Sequence, residues 1–162
     1  MNDAASRNAT PLPLVASSHP RFYVSNVNVT LQVEDTLFQI PASCLERNSK
    51  VFADMFKLPQ GDDDSKIEGK SDANPIHLPG VSVNEFENLL EVLFPIDAFE
   101  RQQNLSTDQW IDVLKLSTMW RFSQVREMAI QTLTRMAINS VDRIVLAKRY
   151  HVPSWLQTGE VS

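Results

Sequence analysis

The sequence of 162 residues has little that would support redox, metal or phosphate chemistry. It contains one cysteine, Cys44, so no disulfide can form within the chain, and this usage is typical of an intracellular protein of the cytoplasm or the nucleus. Its four glycines stand at positions 61, 69, 80 and 159, too far apart to form a glycine-rich loop around a phosphate. We therefore expect no bound cofactor.

Positive charge and long apolar runs are also scarce. Fifteen Lys and Arg stand against twenty Asp and Glu, which gives a net charge of −5 and argues against a nucleic-acid surface, since such a surface needs a basic face. No apolar run approaches the roughly 20 residues that cross a bilayer. Residues 1–18 lack the features of a secretory signal and have little to bury, so they are predicted to be a disordered leader. We expect neither nucleic acid nor membrane among the partners.

Candidate catalytic and metal-binding residues are isolated from one another. Cys44 would act as a nucleophile only with a histidine beside it, and its place next to Leu45 in a predicted helix favours a small buried hydrophobe. The aspartate run at 62–64 fails the calcium-loop pattern, because Ile67 stands where glycine is required. No metal-ligand spacing surrounds any of the three histidines, His19, His77 and His151. The chain is predicted not to be an enzyme; a deep polar pocket around Cys44 or a histidine would favour a small-molecule enzyme instead.

The stretch at 38–56, FQIPASCLERNSKVFADMF, is predicted to nucleate the core. It reads as the end of a strand, a turn at Pro41 and two short helices, the second capped by Ser49. Aromatic residues at such spacings indicate core packing more often than a ligand pocket. The predicted core residues are Phe38, Leu45, Phe52, Phe56, Phe86, Leu90, Trp110, Leu114 and Leu133.

Strands and helices are segregated along the chain. A first strand is predicted from the alternation of Val27, Val29, Leu31 and Val33, and a return strand and a short third strand follow at 36–40 and 76–78. Four later helices are predicted from capping boxes that begin at Ser82 and Ser106 and from starts after Ser123 and Ser140, the last helix burying Val141, Ile144 and Val145. This order predicts an α+β fold, a small sheet of a hairpin plus a short strand packed against about six helices.

The domain is predicted to span residues 19–157, with a flexible tail at 158–162. An acidic, weakly hydrophobic stretch at about 57–75 is predicted to be a mobile loop, of which residues 59–73 bury almost nothing.

The spacing F-x-φ-x-x-x-x-L-x-x-x-S-x-x-F-x-x-M-F, where φ is an apolar residue, resembles the BTB/POZ domain. It is formed by Phe38, Ile40, Leu45, Ser49, Phe52, Met55 and Phe56. The resemblance runs from about Phe22 to about Leu156, with support from the segments SDANPIHLPGVSVNEFENLLEVLFP, VLKLSTMWRFSQVREMAI and VDRIVLAKRYHVPSWL. It is similar above all to the stand-alone BTB proteins of basidiomycete fungi. The resemblance implies a protein–protein interaction domain that self-associates or recruits partners.

In the family the first strand and the helical hairpin form a two-fold interface. The resemblance maps that interface to residues 24–31 and 41–55, with Val24, Val29, Leu31, Pro41, Ala42 and Met55 as candidate contacts. Asn28 and Pro41 stand where many members have an Asp and a His, so we expect a homodimer whose association changes little with pH. The alternative is an adaptor or scaffold that bridges a cullin-type ubiquitin ligase to a substrate. Such adaptors tend to carry an acidic residue where this chain has Leu58-Pro59-Gln60.

Overall fold

A computed structural model describes residues 16–23, 27–63, 66–94 and 105–157. Within these segments, six α-helices and a three-stranded sheet confirm the predicted α+β architecture. The elements are β1 (Asn28–Val33), β2 (Thr36–Pro41), α1 (Ala42–Asn48), α2 (Lys50–Phe56), β3 (Ile76–His77), α3 (Val83–Leu93), α4 (Thr107–Met119), α5 (Ser123–Arg135), α6 (Ser140–Arg149) and a 3-10 turn (Pro153–Trp155).

β1 is the central strand of the sheet. It pairs antiparallel with β2 and parallel with β3, in the order β2-β1-β3. Because the strand is covered, Val29, Leu31 and Val33 are buried, as the alternation predicts. Val27 was expected on the same face, but the ladder starts one residue later and its side chain is 61% exposed. Its carbonyl instead accepts a hydrogen bond from the Ala42 amide, which joins the start of β1 to the start of α1.

Aromatic rings join the sheet to the helices. Trp120, at the end of α4, lies edge-on to both Phe52 and Phe86, with ring centroids 5.6 and 6.0 Å apart. Phe38 of β2 packs edge-on against Phe86 at 4.8 Å. Edge-to-face pairs of this kind stabilise a core beyond the area that they bury. The structure buries Leu45, Phe52, Phe86, Trp110, Leu114 and Leu133, and leaves Phe38, Phe56 and Leu90 partly buried against the same core.

Helix caps follow the local sequence closely. The Ser49 hydroxyl accepts from the Phe52 amide at 3.1 Å and donates to the Trp120 carbonyl at 2.6 Å, so the cap of α2 is also bonded to the end of α4. A complete capping box begins α4 at Ser106. At Ser82 the hydroxyl caps α3, and the carboxylate of Glu85 is held by Ser82 and by Lys115 together.

The segment at 66–75 is docked on the sheet. Ile67 is 9% exposed and Gly69 is buried, so the prediction that residues 59–73 bury almost nothing is wrong at these two positions. The Thr30 amide donates to the Gly69 carbonyl at 2.7 Å, and the Gly69 amide donates to the Asn74 carbonyl at 2.7 Å. β1 has a free backbone edge beyond the two-residue β3, and this segment satisfies it. Asp62 and Asp63, in contrast, are exposed.

The apolar stripe of α6 faces solvent. Val141, Ile144 and Val145 are 70%, 45% and 47% exposed, so their predicted burial is wrong. The helix instead buries Leu146 and Ala147. Polar contacts also join it to the end of α5, where the Arg143 guanidinium donates to the carbonyls of Thr134 and Met136. We call these three exposed residues the α6 face.

Both predicted termini fall largely outside the described segments. This applies to residues 1–15 of the leader and to residues 158–162 of the tail. Residues 16–23 are exposed, and the His19 imidazole accepts the amides of Arg21 and Phe22 at 3.0 Å. Of the helices described here, none has the length and apolar character needed to cross a membrane.

Candidate functional site

The six predicted interface residues do not share one environment. Val29 is 5% exposed and Leu31 is fully buried, because β1 is covered by its neighbours, so these two residues lie in the core as the alternation predicts and not at the interface to which the resemblance maps them. Pro41, Ala42 and Met55 are half-buried and border the molecular surface. Val24 lies outside the described residues.

An apolar surface lies where β1, α1 and α2 begin or end. We call it the α1–α2 surface and define it by Val27, Ala42, Met55, Phe56 and Leu58. Val27 and Leu58 are 61% and 64% exposed, and the other three are half-buried. Exposed apolar side chains are common singly, but a contiguous group of them marks a binding site.

Two adjoining cavities make the α1–α2 surface concave. The first, of about 500 Å³, is bordered by Met55 and Leu58, and the second, of about 320 Å³, by Val27 and Ala42. Phe56 and Ile67 border both cavities. The cavities are therefore two parts of one concave region with an apolar floor.

Local turns place these side chains together. Pro41 ends β2 with φ −59° and ψ 124° and directly precedes α1, so the chain reverses without an unpaired proline amide. The bond from the Ala42 amide to the Val27 carbonyl measures 3.0 Å and holds the two elements side by side. After α2, the Leu58 amide donates to the Met55 carbonyl at 3.3 Å, and this turn returns Leu58 to the helix end.

The rim of the α1–α2 surface carries charges of both signs. Acidic groups are contributed by Glu46, Asp62, Asp63 and Glu68, and basic groups by Lys66 and Lys70. The Lys66–Asp63 pair, at 3.7 Å, is exposed, and such pairs contribute little to stability. No histidine borders either cavity among the described residues.

Cys44 does not have the surroundings of a nucleophile. Its thiol lies 3.7 Å from the Leu93 carbonyl, and burial raises the pKa of the Cys44 thiol, which lowers the fraction of reactive thiolate. Neither Cys44 nor a histidine borders any of the four cavities described for this part of the chain. In the same segments, no three metal-binding side chains gather into a group. His19, His77 and His151 are exposed.

A polar cluster between α3 and α4 was not anticipated from the sequence. The Asn88 amide donates to Asp112 at 2.9 Å, and the Lys115 ammonium lies 2.5 Å from the Glu85 carboxylate. Burial opposes ionisation of Glu85, but the hydrogen bond and charge of Lys115, together with hydrogen bonds from Ser82, outweigh it and lower the pKa of Glu85. Burial raises the pKa of Asp112. The i, i+3 spacing of acid and amide on α3, and of acid and lysine on α4, is the signal that could have found it.

Comparison with known families finds a match to the BTB/POZ domain over residues 21–137. The chain belongs to the BTB/POZ family. A search of curated proteins finds no match. The BTB/POZ domain is a protein–protein interaction domain, and the α1–α2 surface offers a partner exposed apolar side chains such as Val27 and Leu58.

Proposed function

We propose that this BTB domain is a non-enzymatic protein-binding module that forms a two-fold homodimer through the α1–α2 surface. The observation that carries the proposal is the grouping of Val27, Ala42, Met55, Phe56 and Leu58 around one concave region. A two-fold contact places the same patch on both partners, and it is the commonest way for a single chain to cover an apolar surface.

The residues that replace the family's charged pair support an interface that is insensitive to pH. Asn28 and Pro41 lie opposite each other in the β1–β2 ladder, and neither ionises. Histidine is the side chain whose ordinary pKa lies between pH 5 and 8, and none borders the described cavities of this surface. We therefore expect association to change little between pH 5.5 and 8.

The test is light scattering coupled to size exclusion, over a dilution series at both pH values. We expect a dimer at micromolar concentration in the unmodified protein. Val27→Glu places a charge in the α1–α2 surface and should give a monomer, whereas Val141→Glu makes the same change on the α6 face and should leave the dimer intact. Both valines are exposed, at 61% and 70%, so neither change disturbs the core. A monomer at every concentration, or a dimer that persists in Val27→Glu, would contradict the proposal.

A second candidate function is the adaptor or scaffold for a cullin-type ubiquitin ligase. A bridging protein needs two contact surfaces, and the exposed α6 face, beside a cavity of about 400 Å³, offers a second one. The exposed Leu58-Pro59-Gln60 stretch has no acidic residue, whereas cullin adaptors of the family tend to carry one there. We therefore favour dimerisation over the adaptor function. Titration calorimetry with a purified cullin N-terminal domain tests this function. The adaptor function requires that the unmodified protein binds the cullin domain and that Val141→Glu or Leu58→Glu abolishes this binding. We also propose that the chain is related to the stand-alone BTB proteins of fungi. Homologues that consist of the BTB domain alone would support this relationship.

A further inference from the structure

β2 presents an open backbone edge. The Thr30 amide donates to Gly69 and the Gln32 carbonyl accepts from Leu78, so both residues point their backbone groups away from β2. Their ladder partners are Gln39 and Leu37. In an antiparallel ladder, opposed residues whose groups point outwards do so on both strands. The N–H and C=O groups of Leu37 and Gln39 therefore face away from the sheet, and no strand of the described segments pairs with them.

Within the described segments, this edge lacks most of the usual protection. Natural edge strands are shielded by charged side chains, prolines, bulges or a covering element, because an unpaired edge recruits further strands. The sequence of β2, TLFQIP, has no charged residue, and its one proline stands at the far end. Thr36, Leu37 and Gln39 are exposed.

A cavity runs beside the open edge. It has a volume of about 360 Å³ and lies between β2 and α3; we call it the β2–α3 pocket and define it by Gln39, Ile40, Glu87, Leu90, Glu91 and Phe94. Ile40 and Leu90 form its apolar floor, and Phe94 is 45% exposed. The exposed Glu87 borders it, and none of its six described lining residues is basic.

We propose that an extended, basic segment of a partner protein adds to β2 as a fourth strand and fills the β2–α3 pocket. Leu37 and Gln39 would supply the backbone hydrogen bonds. Alternate side chains of a strand point to the same face, so the segment would place an apolar side chain on Ile40 and Leu90, and a Lys or Arg two residues away near Glu87. Main-chain pairing gives affinity in this binding mode, and the pockets for alternate side chains give specificity.

Charge distinguishes this occupant from a second copy of the chain. Pairing β2 with the β2 of another copy would bring two acidic pockets together between chains that each carry a net charge of −5. Like charges brought together oppose association, whereas a basic segment is attracted. The inference deepens the protein-binding function proposed above by naming a partner class, and it uses a surface separate from the proposed dimer contact.

The probe is a phage-displayed library of random heptapeptides, selected on the purified protein. We expect enriched peptides to alternate apolar and basic residues, and the strongest is then synthesised for titration by fluorescence anisotropy. Gln39→Pro removes an outward-facing N–H without breaking the bonds between β1 and β2, and prolines are tolerated at such edge positions. Loss of the hydrogen bond should weaken peptide binding by about tenfold.

The charge contribution is tested with a matched pair of variants. Glu87→Lys reverses a charge in the β2–α3 pocket and should also weaken binding, whereas Glu127→Lys makes the same change at an exposed site of α5 and should not. Thermal unfolding of each variant establishes that it is folded.

Three outcomes would overturn the inference: no enriched pattern, equal binding to Gln39→Pro, or equal effects of the two Lys variants. A dimer that is lost in Gln39→Pro but kept in Val27→Glu would instead show that a second copy occupies the edge. The two proposals fail independently. The dimer through the α1–α2 surface is tested by the mass of the Val27→Glu variant measured without peptide, whereas the strand-binding edge is tested by peptide affinity.

Discussion

Three glycines provide a graded test of how the segment at 66–75 docks on the sheet. Gly61 has open space around its Cα, and no atom lies within 4 Å of a Cβ added there. Gly80 has the same open space but a φ of +75°. Gly69 has a φ of +85°, and a Cβ added there would lie 2.7 Å from Cγ2 of Val29 and 2.9 Å from Cδ1 of Ile76. Alanine at the three positions therefore adds one cost at a time.

The expected magnitudes follow from these differences. Gly61→Ala should be neutral or stabilising by up to about 1 kcal/mol, because it restricts only the unfolded chain. Gly80→Ala should cost about 1 kcal/mol, since alanine is strained at positive φ. Gly69→Ala adds overpacking against two buried side chains, worth about 1–3 kcal/mol, for a total of about 2–4 kcal/mol. That is a large share of the roughly 5–15 kcal/mol that holds a domain folded.

The assay is urea unfolding, followed by tryptophan fluorescence at one fixed protein concentration, because the stability of a dimer depends on concentration. With a denaturant slope of about 2 kcal/mol per molar, Gly69→Ala should lower the midpoint by about 1–2 M. The difference between Gly69→Ala and Gly80→Ala isolates the packing cost. If the two variants unfold at the same midpoint, the segment is not held against Val29 and Ile76, and the docking argument fails.

Other changes test the core, the α3–α4 cluster and the end of α6. Phe52→Ala removes a fully buried ring and should cost about 3–5 kcal/mol or leave the protein unfolded, measured by chemical denaturation. Glu85→Gln should destabilise the protein at pH 7, because the pKa of Glu85 is lowered in the folded state. The difference in stability from the unmodified protein should shrink as the pH falls below about 4.5. Urea midpoints at pH 7 and 3.5 measure it. Arg126→Met keeps the apolar stem but removes donors to Thr118, Tyr150 and His151, and should lower the unfolding free energy by about 1–3 kcal/mol.

Local signals in the sequence predicted the elements well, because the forces that start a helix act over a few residues. Ser49 and Ser106 cap the helices that follow them, as their hydroxyls and the spacing of later residues indicate. The alternation at 28–33 likewise predicts a strand, and its apolar residues Val29, Leu31 and Val33 are buried, although Thr30 on the other face is buried as well. At Ser82 the hydroxyl also caps the helix that follows, but nothing local shows that the Glu85 carboxylate is shared between Ser82 and Lys115 of α4.

Surroundings set by distant parts of the chain were not predictable in the same way. The resemblance maps Val29 and Leu31 to an interface, but β1 is the central strand of this sheet, and its neighbours bury both residues. α6 buries Leu146 and Ala147 and joins the end of α5 through Arg143, and these partners come from outside the helix, so its apolar stripe alone predicts the wrong face. The segment at 66–75 docks where Gly69 approaches Val29 and Ile76, which lie on β1 and β3. The acidic composition of the segment does not indicate this contact. The β2–α3 pocket was missed for the same reason: Gln39 and Glu87 come from distant parts of the chain.

The order of the sheet separates the two surfaces. Gly69 and β3 lie on one side of β1, and Gly69 borders a cavity of the α1–α2 surface. β2 lies on the other side and borders the β2–α3 pocket, and the two regions share no lining residue among those described. The segment at 66–75 already satisfies the β3 side of Thr30, whereas no strand of the described segments pairs with the outer edge of β2. A dimer formed through one surface therefore leaves the other open on each subunit, so that self-association would present two copies of the same strand-binding edge to a partner.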